Sequence, residues 1–156
     1  MSTIVRRSAL MGCSGLLLAG ATASAASKSV AQKWIDGWNA ASPDALIAAF
    51  TPDATYEDVA FGLKKTGSAG LRDLHQQFQE SVGAMYLKLV DSHIAGANGT
   101  IEWLFGGKDV GLFKTGKPFE VRGVSVIEVR SGRIAKDRDY YDVATIMKQV
   151  GALPSS

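Results

Sequence analysis

Two aspartates, Asp58 and Asp139, are the residues of this chain whose surroundings most suggest chemistry. Each lies in a stretch that alternates like a strand, so Asp58 shares a face with Tyr56, and Asp139 with Tyr141. The same alternation groups Trp103 with Phe105 and Ser125 with Ile127, while two helical stretches offer Trp34 and His75. Were these faces to meet, they would line one largely apolar cavity containing two carboxylates. Carboxylates there are costly unless paired or protonated, so at least one should titrate above its usual range and be suited to moving protons near neutral pH. On this reading Asp58 removes a proton beside a carbonyl or activates a water, and Asp139 returns or donates one. Trp34 and Tyr141 then offer N–H and O–H donors to developing negative charge. Plainer roles compete with these. The aspartates can face solvent at the cavity mouth or pair with Arg138 or Lys136, His75 can be a hydrogen-bonded core or rim histidine, and Trp34, Trp103 and Phe105 can simply be packing. His93 is the only other histidine, and two isolated histidines do not make a metal site.

The elements that must position these residues follow from periodicity. Ser27 or Ser29 caps a predicted helix reaching about Ala40, with Val30, Trp34, Ile35 and Trp38 on one face. Ser42-Pro43-Asp44 restarts a short helix whose buried side is Leu46, Ile47 and Phe50, followed by a turn at Thr51-Pro52-Asp53 and a strand from Thr55 to Val59. Residues 62–67 read as a loop. A third helix, from about Ser68 to Ser81, places Leu71, Leu74, His75 and Phe78 in one stripe. Strands follow at Met85 to Ile94, Thr100 to Gly106, Phe119 to Arg130 and Arg133 to Tyr141, with Ser131-Gly132 as a two-residue hairpin turn. A last helix covers Val143 to Val150, and Gly151 ends it. This order predicts an α+β fold in which a curved, mixed or antiparallel sheet packs on three to four helices around an apolar pocket, as a cone or α+β barrel. No βαβ repetition, G-x-G-x-x-G or P-loop occurs.

Residues 1–25 are read as a signal peptide, with Arg6-Arg7 as its basic start, Leu10 to Ala23 as a modest apolar run, and Ala23-Ser24-Ala25 as the cleavage site. The paired arginines resemble a twin-arginine signal, and the apolar run is too short and glycine-rich to span a membrane. The expected domain is therefore residues 26–156, periplasmic or secreted, with no membrane insertion after cleavage. Cys13, the only cysteine, leaves with the leader, so disulfides, thiol nucleophiles and cysteine zinc sites are excluded. The leader also carries two of the 17 Lys and Arg and none of the 15 Asp and Glu, leaving 15 against 15. A net charge of zero gives nucleic acid no electrostatic footprint to follow.

Four stretches in order, Trp34-Ile35-Asp36-Gly37-Trp38-Asn39, Phe50 through Asp58, Val121 through Val126, and Asp139-Tyr140-Tyr141-Asp142, resemble the SnoaL-like branch of the superfamily that includes ketosteroid isomerase, limonene epoxide hydrolase and nuclear transport factor two. The resemblance covers residues 28–154 and implies a cone-shaped, usually dimeric domain with a pocket between sheet and helices. It implies a general-base role for Asp58, an acid/base role for Asp139, and a water-positioning role for Tyr56. The isomerase's oxyanion-hole tyrosine and protonated aspartate fall on Trp34 and Ser125, and the hydrolase's arginine and second aspartate on Phe105 and Gly107, so neither complete apparatus is present. A histidine common in SnoaL-like chains is replaced within Gly107-Lys108-Asp109-Val110-Gly111.

Two functions fit. One is a cofactor-independent enzyme of the isomerase, cyclase or hydrolase type, acting on a small hydrophobic carbonyl or epoxide compound. Asp58, Asp139 and Tyr56 would be its catalytic residues, and Trp34, His75, Trp103, Phe105, Ser125 and Tyr141 its substrate contacts. The other is a non-catalytic carrier of an apolar small molecule. Val124 and Val126, on the opposite face of their strand from Ser125 and flanked by Arg122 and Glu128, suggest a homodimer surface.

Overall fold

The computed structural model describes residues 28–154; the expected leader, residues 1–25, lies outside them. Helix α1, Val30–Asn39, starts where the Ser29 hydroxyl accepts the Gln32 N–H at 3.1 Å, and it buries Ala31, Trp34, Ile35 and Trp38. Helix α2, Asp44–Ala49, buries Leu46 and Ala49. The two helices meet where Gly37 lacks a side chain, since a Cβ there would lie 2.6 Å from Leu46 Cα. Helix α3, Gly67–Ser81, buries Leu71, Leu74, His75 and Phe78 along one stripe. Helix α4, Val143–Val150, is capped by Asp142 and ends on Gly151 in the left-handed conformation.

The strands are β1 (Phe50–Asp58), β2 (Leu63–Thr66), β3 (Val82–Ala95), β4 (Asn98–Asp109), β5 (Pro118–Arg130) and β6 (Arg133–Tyr141). They form one six-stranded sheet in the order β2-β1-β6-β5-β4-β3. Every pairing is antiparallel except β1 with β6, which is parallel. The architecture is thus α+β, four helices on a mixed sheet, with helices α1, α2 and α3 all contacting strands. The main core lies between the sheet's inner face and these helices, with Trp34, Leu46, Leu74, Ile101, Ile127 and Ile134 fully buried.

Three expectations need correcting. The sheet does not close into an α+β barrel: β2 and β3 lie at opposite ends of the strand order and do not pair with each other. Helices, rather than a final ladder, cover the inner face, and β2, with only four residues, offers little to pair with. The expected loop at 62–67 contains β2, whose hydrogen bonds come from lying beside β1, so that Thr55 pairs with Thr66 and Asp58 with Leu63. The expected turn at Thr51-Pro52-Asp53 lies inside β1, at the place where its register with β6 shifts. Pro52 has no N–H to give a ladder, which explains why the irregularity falls there. The hairpin turn at Ser131-Gly132 has both residues at positive φ, 52° and 72°, as a two-residue turn between twisted strands requires.

Candidate active site

Parallel pairing of β1 and β6 sets Asp58 directly beside Asp139, and Tyr56 beside Asp137. All four point to the helix-covered face, as alternation dictates, and each is 4% exposed or less. The hydrogen bonds cross between strands. Tyr56 on β1 donates its hydroxyl to Asp139 Oδ2 at 2.5 Å, and Tyr141 on β6 donates to Asp58 Oδ2 at 2.7 Å. Asp58 Oδ1 accepts the Phe61 N–H at 2.9 Å, and Asp139 Oδ1 accepts the Ser125 hydroxyl from β5 at 2.5 Å. Ser125 in turn accepts the Trp103 indole N–H from β4 at 2.9 Å. Gly123, opposite both Trp103 and Tyr141, makes room for this, because a Cβ there would lie 2.2 Å from the Trp103 ring.

The cavity these groups face is lined by Trp38, Tyr56, Asp58, Phe78, Met85, Leu87, Trp103, Phe105, Asp139 and Tyr141. Its walls are a run of aromatic contacts, with ring centroids 5.9 Å apart for Trp38 and Tyr56, 5.5 Å for Trp38 and Phe78, and 5.7 Å for Trp103 and Tyr141. Counted out to its mouth, the empty space is about 300 Å³, but the centre of a water-sized body has only about 20 Å³ in which to move. That suffices for one or two waters, so anything larger needs the side chains to part.

No lysine, arginine or histidine lines this cavity. Lys136 sits 3.4 Å from Glu128, and neither Lys136 nor Arg138 forms an ion pair with Asp58 or Asp139. Burial therefore dominates the electrostatics. It raises the Asp58 carboxyl above the usual range against the Phe61 and Tyr141 donors, and it raises Asp139 to about 6 against those of Ser125 and Tyr56. Tyr56 and Tyr141 are pushed further up as well, by burial and by the adjacent carboxylates, so they remain donors.

Of the residues singled out from sequence, Tyr56, Asp58, Trp103, Phe105, Asp139 and Tyr141 share the cavity lining. Ser125 sits behind Asp139 as its donor. Trp34 and His75 lie outside the lining. Trp34 is wholly buried and donates its N–H to Asp137 Oδ2 at 2.7 Å. His75 stacks on Trp38 and has its Nε2 3.0 Å from the Ala40 carbonyl; burial lowers its pKa, favouring the neutral ring. Sequence reasoning passed over Trp38, Phe78, Met85 and Leu87 as lining, and Asp137 altogether. The signal for Asp137 was present, since it lies two residues before Asp139 on one strand face. Asp109 is also buried, but its carboxylate accepts the N–H groups of Phe113 and Thr115 and the Thr115 hydroxyl, so it serves to shape the loop before β5. Among the described residues no His, Cys, Asp or Glu cluster could hold a metal ion, and no helix is long and apolar enough to cross a membrane.

An α+β sheet-and-helix domain with an aromatic pocket and buried carboxylates defines a class of small-molecule-binding proteins. Within that class the chain belongs to the SnoaL-like domain family, whose sequence profile matches residues 31–136. Among solved structures, it is similar to a hypothetical protein with a ketosteroid isomerase-like fold from Catenulispora acidiphila, in complex with trimethylamine: 28% identity, 80% of this chain and 93% of that one covered, TM-score 0.73. It also resembles TsrD from Streptomyces laurentii, at 22% identity, with 80% and 93% covered and a TM-score of 0.70. No curated protein matches the chain.

Proposed function

We propose that this protein is a cofactor-independent acid/base enzyme of the isomerase, cyclase or hydrolase type, acting on a small hydrophobic carbonyl or epoxide compound. One observation carries the reading. Two carboxyls from distant chain segments lie side by side in an aromatic cavity, each held by a tyrosine from the other's strand, with no cationic side chain in the lining. Asp58, as carboxylate, takes a proton from carbon beside the substrate carbonyl, or from a water. Asp139, raised to about 6, carries a proton in a usable fraction of molecules near neutral pH and delivers it to the substrate oxygen or to the neighbouring carbon. Because the Trp34 N–H is committed to Asp137, the donor available to a substrate oxygen is Trp38, a lining residue whose buried indole N–H has no partner. The narrowness of the cavity favours small substrates or a pocket that opens on binding.

The test is turnover of a panel of unsaturated ketones, polyketide-like aromatics and epoxides by the wild type, Asp58→Asn and Asp139→Asn. Loss of turnover of 100-fold or more in both variants, with binding retained, is the expected result. Binding without turnover by the wild type overturns the enzyme in favour of a second reading, a carrier. That reading has its own support: aromatic walls with carboxylates suit a small alkylammonium ion, and the Catenulispora relative is in complex with trimethylamine. The proposal also takes the protein to be exported, on its leader pattern, and to form a homodimer through the outer sheet face, where Tyr140 is exposed and Val124 and Val126 are half-buried. Light scattering giving a monomer at high concentration would refute the dimer.

A further inference from the structure

Asp137 is fully buried and is not part of the cavity lining. Its Oδ2 accepts the Trp34 indole N–H at 2.7 Å, while its Oδ1 has no hydrogen-bond donor to satisfy it. An ionised carboxylate with one bare oxygen in the core would cost several kcal/mol. The groups facing it offer no compensating charge. Beside it on β1 are Tyr56, whose hydroxyl is already donated in a hydrogen bond to Asp139, and Asp58. On β5 stand Ile127 and Ser125, and Ser125 also donates to Asp139. From α1 comes Trp34, already counted, and from α2 the apolar Leu46, its Asp44 being exposed and paired with Arg72. Acceptor capacity remains on Asp139, two residues along on the same face of β6, where each carboxylate oxygen takes only one donor, from Tyr56 or Ser125.

We propose that Asp137 is a neutral carboxylic acid whose Oδ1–H is donated to Asp139, and that this bond positions Asp139 and favours its ionised form. The arrangement removes the orphaned oxygen at once, because a protonated Oδ1 becomes a donor beside an acceptor. It also gives Asp139 a third donor besides Tyr56 and Ser125 without placing a cation in the pocket. Burial and the neighbouring Asp139 charge both push Asp137 well above the ordinary carboxyl range, which agrees with this state. Asp137 is thus a positioning residue, acting through Asp139. Its part in proton transfer rests on the enzyme reading above, but its protonation state does not.

Infrared difference spectroscopy of the intact protein at pH 8 tests the state without any turnover. A protonated-carboxyl C=O band should be present, shift in deuterium oxide, and vanish in Asp137→Asn. The titration of Asp139, followed by carbon NMR of its carboxyl, tests the role. Asp137→Asn keeps a neutral donor and should leave the Asp139 midpoint within a few tenths of a pH unit of wild type. Asp137→Leu, if it folds, should raise the midpoint by about one unit. Absence of the band, or a fall of about one unit in the Asn variant, would mean that an ionised Asp137 had been repelling Asp139, and would overturn the proposal. A missing activity would leave the infrared result intact and count against the enzyme reading alone.

Discussion

Replacing Asp139 by asparagine should change the way stability depends on pH, and the size of the change follows from burial. The Asp139 carboxyl titrates at about 6 in the folded protein against 3.8 for a free side chain. Between those values the folded state holds a proton that the unfolded state has released, so stability falls as pH rises. The contribution is complete below about pH 4 and is lost as pH passes through about 6. Two units or so correspond to about 3 kcal/mol. Asparagine has no proton to lose, and its own cost is independent of pH: its amide nitrogen cannot accept the hydroxyl that Tyr56 or Ser125 now donates. The gap between wild type and Asp139→Asn should therefore move by about 3 kcal/mol in the variant's favour from pH 4 to pH 7.5. Urea unfolding followed by tryptophan fluorescence at four pH values measures it, Trp34, Trp38 and Trp103 all being buried. A gap that stays constant, or moves the other way, would mean that Asp139 titrates as an ordinary surface carboxyl and that the pocket does not hold its proton.

Two further outcomes follow from the same geometry. Tyr141→Phe removes the hydroxyl donor to Asp58 Oδ2, which should raise the Asp58 midpoint by about one pH unit and move the acidic limb of the pH–rate profile upward by as much. An unchanged limb would show that Asp58 is not the base. Gly123→Ala puts a methyl group into the Trp103 ring, and the backbone of a central strand cannot retreat, so calorimetry should record a loss of about 1–3 kcal/mol in stability. A variant as stable as wild type would show that the indole has room to move.

How much of this was legible in the sequence depends on the range of the signal. Period-two alternation is local, and it put Tyr56 with Asp58 and Asp139 with Tyr141 before any strand partner was known. The helical stripes were local too, and Ser29 and Gly151 mark helix ends through groups that bind their own neighbours. The parallel pairing that sets Asp58 beside Asp139 was not legible, since it joins residues brought together only by the whole sheet. β2 was hidden for a related reason: Leu-Lys-Lys-Thr has little strand character, and β1 supplies its hydrogen bonds. Which of two tryptophans on one helix face keeps a free N–H depends on Asp137, 103 residues along the chain from Trp34 and so beyond anything periodicity reports. Asp137 itself needed only the alternation carried one step back along β6.

The crossed tyrosine–aspartate bonds each span 83 residues of chain, and this bears on how the protein is made. A nascent polypeptide that stops short of β6 lacks the strand that joins β1 to β5, and its Asp58 has neither Asp139 nor Tyr141 beside it. Contacts that far apart in the chain cost more conformational entropy to close than those of helices or local hairpins. The paired carboxyls and tyrosines therefore come together only once β6 is made, and premature termination yields a chain without the pair.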